Sequence, residues 1–193
     1  MRRRKIRRVI GIDASLSSTG VCIMDRNTKN ILYAFKICPF KDLPNIEKIH
    51  LIANKISSIA YLADVDFAII EDQHFGANAS VYHNLSMLSG AIQCKLMDVG
   101  IMTLSKQPCE IRRLLDIDSG GSADKEEVYK YVVNLYKHDH IIEELGEFND
   151  KPGFEKNSDI FDAISMAIAL INFLDERVRK IPKRSRCCSI IQK

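Results

Sequence analysis

Short apolar runs that stop at turn-forming residues alternate along this chain with longer segments in which apolar residues return every three or four positions. Residues 9–14 form a β-branched run that ends at Ser15-Leu16-Ser17-Ser18, which predicts a buried strand. Residues 20–25 predict a second strand, and residues 31–37 a third beyond the Asn27-Thr28-Lys29-Asn30 turn, giving an antiparallel meander. After Pro44 the apolar positions Ile46, Ile49, Ile52, Ala53, Ile56, Ile59 and Ala60 carry a helical period. A fourth strand follows at 67–71, and a strand reached through a helix implies parallel pairing.

The second half reads the same way. Leu85, Leu88, Ala91, Ile92 and Leu96 predict a helix over about 80–99, with Gly90 in its middle. Glycine in a helix costs about 1 kcal/mol relative to alanine, so Gly90 hints at a close approach by another helix, across a dimer for example. A short strand at 101–104, a brief helix from Pro108 to Leu115, a turn-rich link over 116–122 and an amphipathic helix over 124–137 come next. Residues 138–157 read as a long polar loop, and 158–176 as a closing, almost wholly apolar helix capped by Asn157 or Ser158. No internal repeat is evident.

Four acids break this pattern. Asp13 ends the first apolar run, Glu71 ends the fourth, and Asp159 and Asp162 open the last helix. A carboxylate in apolar surroundings costs several kcal/mol unless it is neutralised, hydrogen-bonded or bound to a metal. Hard divalent cations suit it best, because Mg²⁺ and Mn²⁺ prefer oxygen ligands and a pair of them clamps both oxygens of a phosphodiester displacement. Asp159 and Asp162 are three apart and share a helix face. The macrodipole alone accounts for an acid such as Asp159 in a first helical turn, but Asp162 sits among Phe161, Ala163, Ile164 and Met166. Asp13 or Glu71 singly could be an ordinary turn residue, so the set carries the reading of a metal-dependent nuclease. Beside Glu71 stands Asp72. Strand residues alternate between faces, so only one of the two faces the metals, and Glu71 is chosen because it ends the apolar run.

With 193 residues, 46% of them apolar, the chain suits one well-buried domain. No 18-residue apolar stretch free of charge occurs and no signal-type segment follows the basic start, which predicts a cytoplasmic protein without a membrane span. The net charge of +3 is polarised: residues 2–8 hold six basic residues, residues 177–193 hold seven, and neither end holds an acid. All 25 acids face the remaining 15 basic residues in the body, leaving it near −10. Basic tracts of this kind meet nucleic-acid phosphates, although solubilising tails would look alike. The expected layout is a basic arm at 1–8, a core at 9–176 and a basic tail at 177–193. The six cysteines have no C-x-x-C spacing, and Cys187-Cys188 lacks the amphipathic segment of an acylation site, so neither zinc nor a disulfide framework is expected.

The element order is that of the ribonuclease-H-like fold: α/β, with a mixed five-stranded sheet in which a three-strand meander is joined by parallel strands and flanked by helices. Ile10-Gly11-Ile12-Asp13 with Thr19-Gly20, Ile69-Ile70-Glu71, Pro108 through Arg113, Ala123-Asp124-Lys125-Glu126 and Asp159-Ile160-Phe161-Asp162-Ala163 resemble, in order and spacing, the segments of RuvC-type Holliday junction resolvases. The resemblance spans about residues 8–175. It implies that Asp13, Glu71, Asp159 and Asp162 bind two Mg²⁺ ions, with Mn²⁺ as a substitute. Either Lys125 or the arginine position, Arg112 or Arg113, then holds the scissile phosphate, His74 or Phe75 wedges into the junction, and Lys106, Arg112 and Arg113 face DNA. A homodimer acting on branched, four-way DNA follows from the two-fold symmetry of the junction. The Gly-Ile-Asp start also resembles the phosphate loop of actin-like and sugar-kinase ATPases, but the chain lacks their second domain and second glycine-rich loop. A non-catalytic DNA-binding module, or a relative acting on RNA, would share the fold.

Overall fold

The computed structural model describes residues 6–72, 78–117, 125–146 and 153–180, and for residues 125, 146, 153–156 and 178–180 the description is of the backbone alone. The three runs at the start form the meander β1 (Arg8–Asp13), β2 (Thr19–Asp25) and β3 (Ile31–Ile37). Helix α1 (Asn45–Leu62) leads to β4 (Phe67–Glu71), and α2 (Ala79–Asp98) leads to β5 (Met102–Lys106). The sheet order is β3-β2-β1-β4-β5, with β4 and β5 parallel to β1 as the crossover helices require. Only β2 runs the other way, so β1, β3, β4 and β5 all finish at one edge of the sheet.

Alternation along each strand divides the core into two layers. Ile10, Ile12, Ala68 and Ile70 point to the side covered by α1 and α2. Val9, Cys22 and Ile69 point to the other, where α6 (Gly153–Lys180) lies across the sheet with α3 (Pro108–Leu114), α4 (Lys125–Leu135) and α5 (His140–Gly146) around it. Residues Asn157–Arg177 of α6 are apolar and long enough to cross a membrane, but 72% of the residues in that stretch's apolar window are buried here, as the core helix of a packed protein would be.

Two glycines set how closely α6 approaches. A Cβ on Gly11 of β1 would stand 2.2 Å from the Ala163 carbonyl oxygen and 2.6 Å from the Ala167 nitrogen, both backbone atoms of α6. A Cβ on Gly20 of β2 would stand 1.9 Å from the Asp159 carbonyl oxygen. The residues of α6 that meet the sheet are themselves small, Ala163 and Ala167, so backbone packs on backbone.

Two expectations change. The polar stretch 138–157 is not one loop, because α5 occupies Its 140–146 portion and α6 begins at Gly153. Asp139 starts α5, its carboxylate accepting from the Ile141 N–H at 2.9 Å, and Ile142 is buried against the core; two apolar residues, Ile141 and Ile142, suffice to anchor a helix of about two turns that charge content conceals. Asn157 is the kink in α6, with φ −119° and ψ 17°, and its side-chain amide donates to the Leu145 carbonyl at 3.1 Å. At the other end, the N–H groups of Arg7 and Arg8 donate to the Asp66 carboxylate at 2.7 and 3.3 Å, tying the start of the sheet to the approach of β4.

Gly11→Ala is expected to destabilise the fold by about 3 kcal/mol, because the clash is with backbone that cannot rotate away. Thermal unfolding followed by circular dichroism should show a fall of roughly 6–12 °C in Tm. A change of less than about 2 °C would mean that α6 can lift off the sheet without cost.

Candidate active site

β1 and β4 are neighbours, paired in parallel with Ile12 beside Ile70, so Asp13 and Glu71 leave adjacent strands at the same edge. Asp13 follows Val9 and Gly11 in alternation, and Glu71 follows Phe67 and Ile69, so both turn toward α6. Asp72 has the opposite parity and is exposed. Its backbone N–H donates to the Lys106 carbonyl at 2.8 Å, which continues the ladder to β5. Glu71 therefore lies on the α6 side of the sheet and Asp72 on the other.

From the other side α6 brings Asp162. Asp13, Glu71 and Asp162, each half-buried, line one cavity of about 230 Å³. Arg112 and Ser165 share its wall, and Ile111, Leu115, Val128 and Met166 provide the apolar part. Asp159 lies one helical turn earlier and does not line this cavity. Its backbone sits over Gly20, the residue paired with Asp13, so it stands beside the same rung of the sheet. The Ser158 hydroxyl donates to its carboxylate at 3.4 Å.

Among the described residues no three carboxylate, histidine or cysteine side chains stand close enough to make a ready cage for an ion. The donor chemistry still fits Mg²⁺, which keeps several waters and takes one or two carboxylates plus substrate phosphate rather than an all-protein shell. The cavity of about 230 Å³ that the three carboxylates line leaves room for that water and phosphate.

The basic candidates separate. Arg112, half-buried, lines the carboxylate cavity; Arg113 is exposed and lines a different hollow with Lys29, Asp116 and Asp175. They are consecutive on a seven-residue helix whose Ile111, with Leu115 just past its end, is buried in the core, and that docking turns Arg112 to the acids. Lys106 is in register with Glu71 but pairs with Glu110 and lies 5.9 Å from the Phe173 ring centroid. The hydrogen bond from Lys106, then that from the Gln107 backbone, holds the Glu110 carboxyl below its usual range. Lys125 opens α4, with only its backbone described. His74 and Phe75 lie outside the described residues, as do Cys187 and Cys188.

Sequence reasoning missed Ser165 and Met166. Both follow Asp162 by three and four positions and so share its helix face, which was the available signal. The Ser165 hydroxyl donates to the Asp162 carbonyl at 2.7 Å. Thr19 is wholly buried, donating to the Ser15 carbonyl at 2.6 Å and accepting from the Ser15 N–H at 3.2 Å, which locks the turn leaving Asp13. Burial pushes the Cys22 thiol well above its ordinary range, with the Asp139 charge adding to it, so this cysteine is an inert core residue.

A mixed sheet with carboxylates at the ends of its first and fourth strands, faced by a closing helix that carries two more, is the arrangement of a ribonuclease-H-like nuclease. The family model for the crossover junction endodeoxyribonuclease RuvC matches residues 9–170, and the chain belongs to this RuvC family of Holliday junction resolvases. A crossover junction endodeoxyribonuclease RuvC from Fusobacterium nucleatum is 24% identical over 173 residues, covering 89% of this chain and 83% of the relative. Among solved structures, T. thermophilus RuvC in complex with a Holliday junction substrate superposes with a TM-score of 0.69 at 16% identity, covering 88% of this chain and 96% of that one. The yeast mitochondrial Holliday junction resolvase gives 0.67 at 12% identity, covering 91% and 82%. Family membership displaces the actin-like alternative.

The opposed directions of Glu71 and Asp72 predict opposed phenotypes. Glu71→Gln is expected to slow cleavage of a four-way junction by at least about 100-fold, while Asp72→Asn stays within about twofold of the parent. Equal losses in a single-turnover assay would show that β4 does not keep its alternation through residue 72.

Proposed function

We propose that this chain resolves four-way DNA junctions as a homodimer, hydrolysing one phosphodiester in each of two symmetric strands with the help of divalent cations. The observation that carries the reading is the meeting of Asp13, Glu71 and Asp162 in one cavity with Arg112 on its wall, in a member of the RuvC family. Asp13, Glu71, Asp159 and Asp162 are the residues that would hold Mg²⁺, two ions per site, with Mn²⁺ as a substitute. When bound, such ions lower the pKa of coordinated water and neutralise charge on the phosphate.

The protein's own groups do the rest. Asp159, one helical turn from the cavity, either holds an ion directly or orients the attacking water and takes its proton, as the water oxygen bonds to phosphorus in line with the leaving 3′ oxygen. The P–O3′ bond breaks, the 3′ oxygen takes a proton from solvent, and the products are a 5′-phosphate and a 3′-hydroxyl. Arg112 holds a non-bridging phosphate oxygen, where charge grows in the transition state, and Lys125 supports it. Lys106 and Arg113 extend the contact along the strand. His74 or Phe75, directly after β4, enters the branch point. The basic ends at 1–8 and 177–193 grip flanking phosphates of the arms, which makes binding fall with salt.

Support for the dimer comes from α2. His83, Met87, Gly90, Cys94 and Met97 recur at spacings of four and three along its exposed side. Nothing within the described chain comes within 4 Å of a Cβ placed on Gly90, so the approach this glycine allows is to a second copy. Two active sites related by a dyad match the symmetry of the junction.

Four-way junction, duplex and RNA substrates, each incubated with and without Mg²⁺, test the substrate and the metal together. Paired nicks on the junction alone, requiring Mg²⁺, are expected; cutting of RNA in preference would redirect the assignment. Asp13→Asn and Asp162→Asn are expected to abolish cutting while leaving junction affinity within about threefold, since they remove ion ligands and not phosphate contacts. Met87→Glu with Met97→Glu should shift the chain to monomer in sedimentation, a result that an interface elsewhere would not give.

A further inference from the structure

The end of β3 lies on the same edge of the sheet as the carboxylates. Asp13 pairs with Gly20, and Gly20 pairs with Lys36, so one rung runs from the active site to the last residues of β3. Two strand spacings amount to about 10 Å, the reach of roughly three stacked nucleotides. The loop that leaves β3 there, residues 38–44, carries Phe40, which is 81% exposed.

Single exposed aromatics are ordinary on protein surfaces. What sets Phe40 apart is its company and how firmly its loop is held. Pro39 and Pro44 bracket it, the Leu43 N–H donates to the Phe40 carbonyl at 3.3 Å, and the Lys48 ammonium donates to the Lys41 carbonyl at 2.7 Å. The backbone that carries the exposed ring is therefore restrained by a turn. Immediately beside it opens a cavity of about 550 Å³, between the turn after Asp13, the start of α1 and the first turns of α2. Lys41 and Lys48 line it together with Ser15, Ser17, Asn45 and Asn84, over an apolar bed that includes Leu16 and Leu85. The nearby acids Asp42 and Glu47 are not part of its lining.

A ring held in solvent, ammonium groups, amides and hydroxyls with an apolar bed form the combination that takes up an unpaired nucleotide: π-stacking for the base, charge for the phosphate. Duplex DNA offers no free base face to such a ring, whereas the strands at a branch point do. We propose that the loop 38–44 is a second strand-binding subsite, on the same edge of the sheet as the cleaved bond, in which Phe40 stacks on a base unpaired near the crossover and Lys41 with Lys48 holds its phosphate. The subsite rests on the junction-resolving function proposed above. It makes the choice of cutting position depend on a base that Phe40 can hold, so it contributes to positioning and not to the chemical step.

The test uses the full-length chain carrying Asp162→Asn, bound to four-way junctions with 2-aminopurine at successive positions around the crossover. Phe40→Ala is expected to weaken junction binding about tenfold, the loss of one base–aromatic stack, and to abolish the fluorescence change at one position near the cleaved bond. Phe40→Tyr should restore both. Lys41→Ala should lower the slope of log affinity against log salt by about one. Unchanged affinity and fluorescence in Phe40→Ala would overturn the subsite, as would an altered Tm or a dissociated dimer, which would give Phe40 a structural or protein-contact role. If the parent with Phe40 intact does not prefer junction over duplex, the junction reading itself fails, visibly and before any Phe40 variant is compared.

Discussion

The close approach of α6 to β1 and β2 is the constraint on which the rest of this structure depends. A helix normally rides on a sheet at the distance set by two layers of side chains. Here Gly11 and Gly20 remove one layer and Ala163 and Ala167 thin the other, so the helix backbone rests almost on the strands. The same contact that closes the core carries Asp162 into the cavity of Asp13 and Glu71, and sets Asp159 over the partner of Asp13. Packing and chemistry are one interaction in this fold, and a side chain on either glycine would damage both.

Gathering carboxylates at one point works against electrostatics, since like charges in a partly desolvated cavity repel and raise one another's cost of ionisation. The surrounding sequence moderates this in two ways. Arg112 stands on the cavity wall, held there because Ile111 and Leu115 dock α3 on the core. The cavity is also open at the sheet edge, so that water can reach the three acids. On a larger scale, a body near −10 flanked by two acid-free basic ends would repel DNA from its middle and attract it at its margins unless cations bridge the two. An acidic centre that needs divalent metal to accept a polyanion is consistent with that distribution.

Periodicity is local, and what it encodes was legible before any coordinates. The runs ending at Asp13 and Glu71, the helix between them and the acids three apart at the start of α6 gave the meander, the parallel pairing of the fourth strand and the candidate acids. Alternation along β4 separated Glu71 from Asp72, because a strand's two faces are fixed by its backbone alone. Tertiary structure settled what local pattern leaves open. Arg112 and Arg113 are equivalent on a short helix until α3 is docked. Asp159 and Asp162 share a helix face, yet Asp162 lines the cavity while the backbone of Asp159 lies over Gly20. Helix α5 exists because Asp139 caps it and Ile142 finds the core, contacts too few to leave a period in the sequence. The chain by itself thus named the elements and the acids they carry, since each follows from the geometry of a few consecutive residues. Which of those groups meet, and how closely, was decided by packing across the sheet, where distances depend on every side chain between two backbones.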